Sequence, residues 1–107
     1  MQTDIGKEAA ATLDFGHCRV GMTARRLTAE PSPCLKGVLI RAPGSVDPTP
    51  NTVCIWVGDA RVVASSDEDR GGMPVPPGEA LFVPIDDPYR LWVISTVADQ
   101  DVAWMAM

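Results

Sequence analysis

The chain has 107 residues, enough for one domain with a modest core. Fourteen acidic against nine basic residues leave a net charge of −5, which argues against a general nucleic-acid binder, because that role needs a basic surface. Ten prolines and nine glycines, evenly spread, cut the chain into short elements joined by tight turns and favour a β-sandwich or jelly roll over a helical bundle.

Residues 1–14 are polar and Ala-rich. Lys7 to Leu13 has the composition for a turn or two of helix, too short to hold itself together in water. The segment reads as a flexible N-terminal arm, with a β-domain over residues 15–107. No leading apolar stretch suits a signal peptide, and no run approaches the length of a membrane span. From Phe15 to Thr28 the pattern turns to strand: Cys18, Val20 and Met22 alternate with Arg19 and Gly21. Helix competes over Met22–Leu27.

Glu30-Pro31-Ser32-Pro33 is irregular, since each proline restricts itself and the residue before it. Leu35 to Ala42 is a strand with Val38 and Ile40 on one face and Leu39 on the other. Pro43 to Asn51 carries three prolines and reads as a stiff projecting loop. Thr52 to Gly58 is the most β-prone run, with Val53, Ile55 and Val57 opposed to Cys54 and Trp56. Gly58-Asp59 then predicts a hairpin into Arg61–Ser65. Ser66 to Gly72 is an acidic loop.

Pro77-Gly78 fits the centre of a type II turn, proline presetting φ and glycine accepting φ > 0. Leu81, Val83 and Ile85 follow on one parity. Asp86-Asp87-Pro88 turns the chain into a strand over Arg90–Thr96, and Asp101–Met107 is the last, with Val102, Trp104 and Ala106 on one face. About seven short strands result, the count of an antiparallel all-β sandwich.

Reactive chemistry is sparse. The P-x-G-E turn before an apolar strand is similar to the second motif of the cupins. Cupin metal sites use two or three histidines, and this chain has only His17. Cys34 or Cys54 would meet His17 only by accident of folding. Three cysteines without a close pair predict free thiols, as in a protein made in a cytoplasm. Asp67-Glu68-Asp69 lacks the ligand spacing of an EF-hand. No catalytic residue, metal or cofactor is expected. Trp56, Trp92 and Trp104 all fall in predicted strands, suiting core or subunit interface better than a sugar platform. Beside Met105 and Met107, they make Trp92, Trp104, Met105 and Met107 the candidate interface residues.

The motifs come in a definite order: K-G-V-L-I-R-A (36–42), N-T-V-C-I-W-V-G (51–58), P-V-P-P-G-E-A-L-F-V-P-I-D-D (74–87), L-W-V-I-S (91–95) and D-V-A-W-M-A (101–106). This series resembles a small β-domain of tailed-bacteriophage virion accessory proteins, of the capsid decoration (cement) or head-fibre type. The resemblance implies a structural protein on the virion capsid surface, synthesised in the host cytoplasm. It implies the major capsid protein as partner and self-association as a homotrimer, with no nucleic acid and no membrane. The alternative is a fibre or receptor-binding module contacting host surface glycan. No catalytic residue is carried over.

Overall fold

The structure, a computed structural model, describes residues 14–65 and 71–107. Eight strands form in chain order: β1 (Asp14–Val20), β2 (Arg25–Arg26), β3 (Val38–Arg41), β4 (Ile55–Gly58), β5 (Met73–Val75), β6 (Ala80–Val83), β7 (Trp92–Ile94) and β8 (Gln100–Ala106). A 3-10 turn, Pro88–Arg90, precedes β7, with the Asp87 carboxylate accepting from the Tyr89 N–H. The strands make two four-stranded sheets, ordered β1-β8-β3-β6 (sheet A) and β2-β7-β4-β5 (sheet B). Every ladder between strands is antiparallel. This is the all-β sandwich that the breaker spacing predicts. Of the expected arm only Asp14 is described, and it opens β1; of the acidic loop only Gly71 and Gly72 are.

Alternation puts one side of each sheet in the core. Cys18, Val20, Val38, Ile40 and Val102 come from sheet A, and Ile55, Val57, Val75 and Val93 from sheet B. Leu81, Val83 and Trp104 pack against this cluster from the sheet A side. The last strand is apolar because β8 lies between β1 and β3, and its inward side must be covered.

Three sequence expectations need correcting. The first strand stops at Val20; the chain then crosses between the sheets, and Arg25–Arg26 pairs with β7, leaving no helix at Met22–Leu27. The run Thr52–Gly58 is strand only from Ile55. The Thr52 and Val53 N–H groups instead donate to the Gln100 side-chain oxygen, at 2.8 and 3.2 Å, as the chain passes from one sheet to the other. Arg61–Ser65 is no hairpin arm. Both sides of β4 are already taken, by β5 and β7, and Val62 tucks in beside Gly58 and Gly72.

Pro77-Gly78 does turn the chain, with Gly78 at φ +88° and the Glu79 N–H donating to the Pro76 carbonyl at 3.0 Å. The Pro43–Asn51 loop folds back onto this turn, Gly44 against Gly78, where an added Cβ would come within 2.5 Å of the Gly78 Cα. Asp47 holds the loop closed. Its carboxylate accepts from Arg41 at 3.0 Å and from the Gly44 N–H at 2.7 Å. The Arg41 hydrogen bond, then the Gly44 one, lower the Asp47 pKa. A carboxylate with a depressed folded pKa contributes stability above its unfolded pKa and loses it as pH falls through the folded value. The loop is therefore expected to stay closed through the ordinary carboxylate range and to loosen only as pH falls through the lowered Asp47 value. Amide-exchange protection at Gly44, followed on acidification, checks this; unchanged protection in acid would mean the carboxylate does not hold the loop.

Candidate functional site

The outward side of sheet A carries an apolar row. Phe15 on β1 is opposite Met105 on β8, Met105 is opposite Leu39 on β3, and Leu39 is opposite Phe82 on β6. All four share the face turned away from the core, because Val38, Ile40, Val102 and Val83 take the other parity. Phe15 is 68% exposed and Phe82 45%. A shallow depression of about 250 Å³ opens among Phe15, Leu39 and Met105. A second, of about 270 Å³, lies at the sandwich edge between Phe82, Pro84 and Met73. Phe82 adjoins Leu39 and also lines the second depression, so the apolar surface runs from the face over the β6 edge.

The next row is His17, Ala103, Arg41 and Ala80, and beyond it Arg19 faces Asp101. The charged groups here have partners within the chain. Arg41 meets Asp47 at 3.0 Å, Arg19 meets Asp99 at 3.4 Å, and His17 Nδ1 lies 3.9 Å from Asp101. Among the described residues, the face thus offers an uncovered apolar strip beside a balanced polar margin. That arrangement suits docking of a protein surface, since removing the strip from water is favourable and few bare charges must be desolvated.

The candidate interface residues do not lie together. Met105 sits in the apolar row. Trp104 points inward and rests over Gly16, whose added Cβ would meet the indole Cζ2 at 3.1 Å. Met107 follows β8 and bonds through its backbone to Lys36 and Gly37. Trp92 is on the outside of sheet B, where Arg26 lies over its ring at 5.0 Å and over the Tyr89 ring at 4.0 Å. The same guanidinium donates to the Tyr89 carbonyl at 2.7 Å, which locks the stack. Phe15, Leu39 and Phe82 are the residues that sequence reasoning passed over. Their signal was parity: each is apolar and sits on the face of its strand opposite the core-facing residues.

Trp104→Ala is expected to cost about 2 kcal/mol, below the figure for a fully buried indole because the ring is only partly covered. Urea unfolding measures the loss. The mass in solution should not change, which separates an inward-packed indole from an interface one.

Neither Cys18 nor Cys34 has the surroundings of an activated thiol. Burial raises the Cys18 pKa, and burial followed by the Asp87 charge raises that of Cys34, the direction opposite to nucleophile activation. The Cys34 Sγ donates to the Ile85 carbonyl at 3.3 Å. Among the described residues, no group of three or more His, Cys, Asp or Glu is placed to hold a metal ion. No family model, no curated protein and no solved structure matches this chain.

Proposed function

We propose that this chain is a non-enzymatic structural protein of a phage virion, which decorates the capsid by laying the outer face of sheet A on the major capsid protein. The observation that carries this reading is the single register row Phe15–Met105–Leu39–Phe82 across all four strands of the sheet, exposed at its two ends and half-buried at Met105 and Leu39. Contiguous apolar patches rimmed by polar groups mark protein-docking surfaces. The virion setting comes from the ordered motif series between Lys36 and Ala106. A decoration protein strengthens a shell by buried area across neighbouring capsomers, and that requires a face rather than a reactive pocket.

The glycan-binding alternative draws on Trp56 and Trp92, which share the outside of sheet B. Arg26 already lies over the Trp92 ring, so the stacking surface a sugar would need is occupied. That favours the first reading.

Cosedimentation with capsids of the phage that encodes the chain tests it. Saturable binding is expected for the wild type. Leu39→Lys, which places a charge at the centre of the apolar row without touching the core, should weaken binding at least tenfold, about 1.4 kcal/mol, and leave the melting temperature nearly unchanged. Binding that ignores Leu39→Lys, or no wild-type binding at all, overturns the proposal.

A further inference from the structure

Among the described residues, β1 is an edge strand, seven residues long, paired with β8 on one side only. The direction of its backbone groups is set from across the sheet. Gly37 and Met107 exchange both backbone hydrogen bonds, Gly37 N–H to Met107 C=O at 3.1 Å and Met107 N–H to Gly37 C=O at 3.0 Å. Odd-numbered residues of β8 therefore direct their backbone groups to β3, and even-numbered ones to β1. In the β1–β8 register, Ala106, Trp104, Val102 and Gln100 are opposite Asp14, Gly16, Cys18 and Val20. Those four residues of β1 hold the ladder, and Phe15, His17 and Arg19 turn their N–H and C=O groups off the open edge.

Two of the outward groups are capped inside the chain. The Phe15 N–H donates to the Asp14 carboxylate at 2.9 Å. The Arg19 carbonyl accepts from the Arg25 guanidinium at 3.0 Å. Among the described residues the Phe15 carbonyl, the His17 N–H, the His17 carbonyl and the Arg19 N–H have no hydrogen-bond partner.

We propose that two copies of this chain pair through their β1 edges, antiparallel, about a two-fold axis passing between the two His17 residues. The unbonded groups are the ones this pairing uses. Each His17 N–H donates to the His17 carbonyl of the other copy, and each Arg19 N–H to the other copy's Phe15 carbonyl. The two bonds that would extend the ladder at its ends need the Phe15 N–H and the Arg19 carbonyl, and these are the capped groups. The cap positions thus bound the ladder to its central residues. Self-complementarity of this kind is what an isologous interface demands.

The side chains accommodate it. On the outward side Phe15 comes opposite Arg19 of the second copy, so an aliphatic stem and guanidinium can lie along an exposed ring. On the inward side Gly16 comes opposite Cys18, and glycine adds no bulk there. The other edges suit pairing less well: β2 has two residues, β5 contains Pro74, and β6 runs into Pro84. The result is one eight-stranded sheet whose two apolar rows face the same way, a bivalent surface for a repetitive lattice such as a capsid. The inference rests on edge bonding alone and holds whether or not the lattice is a capsid. It replaces the three-fold assembly that the resemblance implies with a two-fold one.

Sedimentation or light scattering on the whole chain, at tens of micromolar and without capsids, tests it. The expected mass is twice that of one 11.4 kDa chain. His17→Ala, which alters only the side chain, should remain dimeric. His17→Pro removes the central donor while leaving the β1–β8 ladder intact, and should halve the mass. For an answer that does not depend on that variant folding, His17→Cys should form an intermolecular disulfide on mild oxidation, mapped by peptide analysis. Facing residues of a hydrogen-bonded antiparallel pair have Cα atoms about 5.5 Å apart, within disulfide range. Ser45→Cys, on the Pro43–Asn51 loop, should not cross-link. A monomeric or trimeric wild type, a dimeric folded His17→Pro, or a His17→Cys variant that fails to cross-link overturns the pairing. Capsid binding is read separately through Leu39→Lys, so either proposal can fail alone.

Discussion

Gly37→Ala is expected to lower stability by about 3 kcal/mol or more, a large share of what a domain of this size holds. Gly37 has φ +153°, where a Cβ is strained. Space is also lacking: an added Cβ would come within 2.4 Å of the Val83 carbonyl oxygen and 2.6 Å of the Phe82 ring. The ring can rotate away, but the carbonyl belongs to the strand paired with β3 and cannot move without disturbing the ladder. Gly37 also carries the reciprocal backbone bonds to Met107, so a shift at this point propagates into the end of β8. Urea unfolding should show a lower midpoint with an unchanged slope. A midpoint equal to wild type would mean that the Gly37 backbone is not held in this conformation. The same site shapes the apolar row, because Phe82 lies against Gly37, so the proposed capsid binding should weaken along with stability.

Asn51→Ala is expected to cost about 2–4 kcal/mol, from a side chain that contributes almost no apolar burial. The Asn51 amide copies a strand. Its Nδ2 donates to the Asp101 carbonyl at 2.7 Å and its Oδ1 accepts the Asp101 N–H at 2.8 Å. The residue is 7% exposed, so truncation leaves a backbone donor and acceptor poorly placed to find water. Asn51→Asp should also destabilise, since a carboxylate keeps the acceptor but has no donor for the Asp101 carbonyl. Gln100 holds the next two residues, and the double variant Asn51→Ala/Gln100→Ala should lose less than the two single losses together, because both anchor one segment to β8. Full additivity would show that the two side chains act independently.

Much of the candidate site was legible as local pattern and none of it as a surface. Leu39 was visible as the apolar residue opposed to Val38 and Ile40, and Phe82 as the one opposed to Leu81 and Val83. Phe15 looked like the first residue of a strand. That these three share one row with Met105 depends on cross-strand register, which joins residues as far apart as 15 and 105. Tryptophan attracted attention by size, yet two of its three positions face the outside of sheet B and the third lies against glycine. The open edge of β1 was equally out of view. Which backbone groups point outward is fixed by the bonding phase of β3 and β8, and the Arg25 cap on Arg19 exists only because the chain doubles back after Gly21.

What the sequence by itself determined is the class of the fold, the turn at Pro77-Gly78 and the parity of most strands, because these follow from φ restriction and a two-residue period. Tertiary structure decided which strand lies at an edge, which run stays unpaired at Thr52 and Val53, and which apolar residues are left to water. Those outcomes depend on pairing between distant segments, where a shift of one residue would exchange the two faces of a strand. The row across sheet A and the unbonded groups around His17 are products of that pairing.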